Sequence, residues 1–150
     1  MTAEAMWHQY CVQNGIDEKT AYEAWPFCGG GPAADELAGL VLAGKKTATS
    51  STCLAFETAH EAIPQVGSYS VILYDNGEAA CIIRDTKVTL MPFDQVPKEH
   101  AYKEGEDDRS LEMWREVHVR AFTPDFEAVG KAFDEKAVCV LEEFEVVYLS

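Results

Sequence analysis

Apolar residues open the chain at Ala3, Met6, Trp7, Tyr10 and Cys11, the i, i+3, i+4, i+7, i+8 spacing that lays one stripe along an α-helix. Gly15 follows as a natural stop, so an amphipathic helix is predicted whose stripe is packing surface. After a polar stretch and the segment 21–27, Gly29-Gly30-Gly31-Pro32 forms a turn-rich loop. It introduces a second helix with Ala34, Leu37, Ala38 and Val41 on one face and Gly44 at its end. From Thr47 the residues become hydroxyl-bearing and β-favouring. Ser68 to Tyr74 and Glu78 to Ile83 flank Asp75-Asn76-Gly77, a hairpin signal because Asn-Gly accepts the left-handed turn that matches strand twist. Strand character continues through Val88 and Leu90.

Ser110 is placed to cap a third helix with Leu111, Trp114, His118 and Ala121 on its stripe and Phe122 beside it. A separate, shorter helix is predicted from Pro124 to Phe133. In the last segment Val138, Val140, Glu142, Phe144, Val146 and Tyr148 alternate onto one face, a half-buried strand with one charged intruder. No internal repeat or linker interrupts the 150 residues, which amount to one domain. Short strands with helices between them predict an α+β fold, a small closed or partly closed β-barrel flanked by helices.

Composition narrows the function. With 26 acidic against 12 basic residues the formal charge is -14, which opposes general attraction to DNA, RNA or anionic membrane. Any nucleic-acid contact is expected to be local. The five cysteines are scattered with no C-x-x-C pair, so reduced thiols and no structural zinc are expected. No basic, apolar leader and no membrane-length apolar run is present, and a cytoplasmic protein without cofactor or metal is the expectation.

Three places carry candidate chemistry. Gly39 to Lys46 imitates a phosphate-binding loop but has Lys46 where a magnesium-holding hydroxyl belongs, and it lies at a helix end rather than a helix start. Gly44-Lys45-Lys46-Thr47-Ala48-Thr49-Ser50-Ser51-Thr52 joins two adjacent lysines to five hydroxyls. A lysine next to a threonine hydroxyl can activate it as a nucleophile, while the plain alternative is a helix C-terminus with cations against its dipole followed by an edge strand. Glu104-Gly105-Glu106-Asp107-Asp108 lacks the calcium-loop pattern; most of it is expected to be solvated, with one carboxylate available to pair with a lysine. His118 reads as a core or cleft-wall histidine, and His8, His60 and His100 show no metal-ligand spacing. Glu142, on the buried face of its strand, must be paired, hydrogen-bonded or protonated; Arg84 or a lysine is the expected partner.

Taken together, Asp35-Glu36-Leu37-Ala38, Gly44-Lys45-Lys46-Thr47-Ala48-Thr49, Pro64-x-x-Gly67, Ala101-x-x-Glu104-Gly105-Glu106 and Ser110-Leu111-x-x-Trp114-Arg115-x-x-His118 resemble, in order and spacing, the ASCH-domain family from about Tyr22 to Tyr148. That resemblance implies a PUA-like β-barrel with a cleft beside the G-x-K-T-x-T segment, preceded here by a helical extension of about 20 residues. The family is connected with RNA binding; certain members are ribonucleases, and short members are amidohydrolases acting on acetylcytidine. Carried over by position, the catalytic set of those amidohydrolases looks like Lys46, Thr49 and Glu104. Trp25, Phe27, Thr47, Ser50, Arg84, Glu106, Trp114 and His118 are the candidate substrate-binding residues. The acidic charge favours a modified nucleoside over a long polyanion, so hydrolysis of a nucleoside amide is expected first, with a non-catalytic RNA-binding module or a ribonuclease as alternatives.

Overall fold

The computed structural model describes residues 1–149. Helix α1 (Ala3–Asn14) is capped by the Thr2 hydroxyl and closed by Gly15 at φ 65°. Strand β1 (Glu23–Pro26) leads through a short 3₁₀ turn into α2 (Pro32–Leu42), whose Ala34, Leu37, Ala38 and Val41 are buried as the periodicity predicts. Then come β2 (Ala48–Thr52), α3 (Cys53–Thr58), β3 (Tyr69–Leu73), the long β4 (Ala79–Pro92), α4 (Lys98–Glu104), α5 (Leu111–Glu127) and β5 (Val138–Leu149). Neither β1, α3 nor α4 is foreshadowed by the sequence pattern, since each is too short to show a period.

The five strands form one curled sheet in the order β1-β3-β4-β5-β2. β1 runs parallel to β3, and all other pairs are antiparallel. Register shifts in the β4–β5 ladder, between Ile82 and Ile83 and between Asp85 and Lys87, mark the bulges that let long strands bend. The result is an α+β half-barrel flanked by helices, with β1 and β2 as its two open edges.

Three apolar clusters fill it. α1 lays Met6, Trp7, Tyr10 and Cys11 against Val71, Ala79 and Ile82; α2 packs with Phe27, Ile72, Cys81, Ile83 and Phe144; α5 brings Trp114 and Phe122 onto Phe93, Val96, Cys139 and Leu141.

Two expectations need correction. The helix beginning after Ser110 is continuous through Pro124 to Glu127, with no second helix from Pro124 to Phe133. Proline costs one backbone bond in a helix, but here it falls in the last turn, where Phe122 and Phe126 pack on Phe133. β5 is not half-buried along one face. Cys139 to Glu142 are buried on both faces, because the strand lies between β4 and β2 under the α5 cluster, whereas Val146 is exposed.

Candidate functional site

The site begins where α2 ends. Gly44 at φ 78° reverses the chain, the Lys45 and Lys46 amides both donate to the Leu40 carbonyl, and Thr47 is then tied by its amide to Lys103 O (2.7 Å) and by its carbonyl to the Phe144 amide (3.0 Å). This clamps the start of β2 between α4 and β5. The clamp requires glycine at 105: its φ is 74°, and a Cβ there would collide with the Lys45 carbonyl. The two sequence stretches around Lys46 and Glu104 are thereby pressed backbone to backbone.

Lys46 is only 1% exposed. Its Nζ donates to Glu106 Oε2 at 2.8 Å, lies 3.5 Å from Glu104 Oε1, and sits 5.2 Å from the centre of the Phe27 ring. Glu104, 2% exposed, is the hub: Oε2 accepts from Ser50 Oγ (2.6 Å) and from the Trp114 indole N–H, and Oε1 lies 3.6 Å from His118 Nε2. Burial is the largest single influence on Glu104 and pushes its pKa up, yet Lys46 and the hydrogen bonds of His100 and His118 outweigh it and hold the carboxyl well below the usual range. For His118, burial pushes down while the bond and charge of Glu104 push harder up, so its pKa is raised. His100 Nε2 faces both Ser50 Oγ (2.7 Å) and Glu104 Oε2 (3.3 Å). One nitrogen serving both partners makes the imidazole a brace rather than a proton relay, which needs a different ring nitrogen for each.

In the seam between the sheet's two open edges lies a cleft of about 620 Å³, the size of small-molecule sites. Trp25, Phe27 and Cys28 line one wall, Thr49, Ser50 and Ser51 another, Tyr69 and Ser70 a third, and Glu142 is also exposed to it. Ser50 belongs both to the cleft and to the Glu104 hub. Thr49 stands opposite Glu142 in the β2–β5 register, so their side chains share a face within contact range.

Comparison with known proteins fits this geometry. The ASCH domain family model matches residues 23–148. The chain belongs to the ASCH domain family. A crystal structure of an ASCH domain from Lactobacillus crispatus is 33% identical with TM-score 0.90, covering 97% of this chain and 93% of that one. A protein from Enterococcus faecalis is 31% identical with TM-score 0.88, covering 97% of this chain and 88% of its own. No curated protein matches at a significant level.

Within this ASCH domain the residues singled out from the sequence divide in two. Lys46, Glu104 and Glu106 meet, and Trp25, Phe27, Thr49 and Ser50 line the cleft. Thr47 turns its hydroxyl toward the Lys103 carbonyl (3.4 Å). Trp114 and His118 are stacked at 4.2 Å behind Glu104 and do not line the cleft; they support the carboxylate. Arg84 lies over the Tyr69 ring at 5.9 Å, outside the lining. Glu142 does not hold Arg84 or a lysine: among the described residues it makes no salt bridge, and burial first, then the neighbouring Asp85 carboxyl, push its pKa up to about 9. Asp85 faces Phe144 across the ladder, which puts it on the Glu142 face of β5 and one step diagonal to it. His100 and Asp85 escaped the sequence reading; the i, i+4 spacing of His100 and Glu104 was the available signal for the first. Among the described residues no group of three or more His, Cys, Asp or Glu side chains is arranged to hold a metal ion, and no helix is long and apolar enough to cross a membrane.

Proposed function

We propose that the cleft takes a single modified nucleoside and that the chain hydrolyses an amide on its base, acetylcytidine being the type substrate. The observation that carries this reading is the buried Lys46–Glu104 pair, with half-buried Glu106 beside it, joined through Ser50 to a nucleoside-sized cleft that Thr49 also lines. Trp25 and Phe27, edge to face at 5.0 Å, offer an aromatic wall on which a base can stack. The charge of -14 disfavours a long polyanion, and a nucleoside asks for far less.

In this reading Thr49 Oγ attacks the acyl carbonyl while its proton passes to Lys46. Lys46 can accept it once one of its own ammonium protons has passed to Glu106, the nearer and less buried carboxylate. Glu104, held ionised by five polar neighbours, positions Lys46 and Ser50. The C–N bond breaks as the amine takes up a proton, and water then releases the acid from Thr49.

The test is incubation of the protein, Thr49→Val and Lys46→Met with acetylcytidine, reading cytidine by chromatography. The parent is expected to turn over, with each variant down at least about a hundredfold. No turnover by the parent, combined with salt-dependent binding of single-stranded RNA, would replace the hydrolase by the RNA-binding reading.

A further inference from the structure

An amide nitrogen leaves as the amine only if it is protonated as the C–N bond breaks, and the reading above names no donor apart from Lys46, which holds the proton of Thr49. Glu104 is badly placed to protonate the nitrogen. It lies outside the cleft lining, accepts hydrogen bonds from Ser50 and Trp114, and is held ionised by Lys46.

Glu142 has the opposite situation. It is 8% exposed and is one of the residues that line the cleft. It shares a face with Thr49, its register partner on β2, so an acyl group attacked by Thr49 Oγ has its leaving nitrogen within reach of this carboxyl. Among the described residues neither Glu142 nor Asp85 takes part in a salt bridge. Two adjacent buried carboxyls without a cation cannot both ionise, so a proton is resident in the pair.

Resting on the hydrolase reading above, we propose that Glu142 is the general acid that protonates the leaving amine, with Asp85 as the residue that keeps it loaded. In acylation the Glu142 O–H proton moves to the nitrogen as the C–N bond breaks and the Thr49 ester forms. In deacylation the attacking water gives one proton to Glu142 and its hydroxide to the acyl carbon, and Lys46 returns the proton of Thr49 Oγ as it leaves. Every proton is restored and the free acid departs.

The raised pKa of Glu142, about 9, leaves it protonated at neutral pH, and a general acid with that value works across the physiological range. The groups around it do not compete for the role. β2 carries no titratable group, α3 carries Cys53 and Glu57, and β4 carries Asp85 between Arg84, which lies over Tyr69, and Lys87, which faces Glu143. On the outer side of β5, Glu143 is paired with Lys103 and Lys87, and the cleft adds Glu23, Cys28, Glu61 and Tyr69.

The experiment is steady-state kinetics of the parent, Glu142→Gln and Asp85→Asn on acetylcytidine, and on an O-acetyl ester of cytidine whose alkoxide departs with less help from an acid. For the parent, kcat on the amide is expected to fall as pH rises through about 9. Glu142→Gln, whose amide can donate to Asp85 but carries no acidic proton, is expected to lose about a hundredfold in kcat on the amide with KM little changed. On the ester it should lose less than about tenfold. Asp85→Asn is expected to move the alkaline limb to lower pH. Equal losses on amide and ester, or a Glu142→Gln variant as active as the parent, would overturn the general acid while leaving the hydrolase standing. Absence of turnover by the parent on both substrates overturns the hydrolase and this role with it.

Discussion

Glu104 and Glu142 are both buried carboxyls that meet β2, the first bonded to Ser50 and the second opposite Thr49, and their pKa values move in opposite directions. Around Glu104 stand a buried lysine, two histidines, a serine hydroxyl and an indole N–H, and its pKa is driven well down. Among the described residues the titratable group that acts on Glu142 is another carboxyl, Asp85, and together with burial it drives the pKa up to about 9. Burial pushes both the same way, so the company each keeps decides the sign. An ion-paired hub gives a rigid ionised wall, and a cation-free acid pair gives a transferable proton.

The sharpest way to break the contrast is to remove the hub's anion. Glu104→Leu leaves Lys46 buried with half its counter-charge, and a loss of about 3–5 kcal/mol in urea unfolding at neutral pH is expected. Adding Lys46→Met should recover most of it, because an apolar pair of similar volume is tolerated where a lone buried charge is not. A double variant no more stable than Glu104→Leu would mean that Glu104 acts by packing rather than by charge.

Next in size is the backbone junction that holds the hub together. Gly105→Ala combines a left-handed conformation with a Cβ directed at the Lys45 carbonyl. About 2–4 kcal/mol of lost stability is expected from the sum of backbone strain and overpacking. Gly130, also at positive φ but with nothing near its Cβ position, should cost only about 1 kcal/mol on the same change.

These junctions explain which parts of the molecule could be read in advance. α1 and α2 were legible residue by residue, because a helix buried on one face writes its packing into a 3.6-residue period. Lys46 and Glu104 are 58 residues apart, and no local pattern connects them; they came together through the order of motifs in a familiar family. The Asp85–Glu142 pair was out of reach. It depends on which strands are neighbours and on where the β4 bulge falls, and a one-residue change in register would send Asp85 to the other face. For the same reason β5 looked half-buried: alternation reports one apolar face, and Cys139 and Leu141 on the other face are ordinary strand residues until α5 covers them.

The two carboxyls also predict a pH response with opposite slopes. For Glu104 the folded pKa is depressed, so its contribution is present above the unfolded value and is lost as pH falls through the acid range. For Glu142 the folded pKa is raised from 4.5 to about 9. The native state therefore holds a proton the unfolded chain has released, and stability falls as pH rises across that window. His118, raised above 6.5, adds a stabilising contribution that is complete below 6.5 and lost as pH rises past its folded value. Glu142→Gln should remove only the second of these slopes and raise stability at pH 8 by on the order of 2 kcal/mol, measured by thermal unfolding across pH. An unchanged slope would place the resident proton elsewhere.

The smallest effect on stability belongs to the residue assigned the largest share of the chemistry, and it separates the two hydroxyls that stand next to each other on β2. Ser50 donates to Glu104 and meets His100, so Ser50→Ala withdraws a hydrogen bond from a buried anion and is expected to cost about 1.5–3 kcal/mol. Thr49 lines the cleft beside Glu142 and is not fully buried. Thr49→Val keeps its shape and β-branching, so stability should stay within about 0.5 kcal/mol. Turnover should order the pair the other way: Thr49→Val abolishes formation of the acyl ester, while Ser50→Ala retains part of the rate because Glu104 still faces Lys46. Measured together by unfolding and by release of cytidine, the two variants distinguish a nucleophile from its scaffold, and a Ser50→Ala variant that is the less active of the two would transfer the nucleophile's role to Ser50.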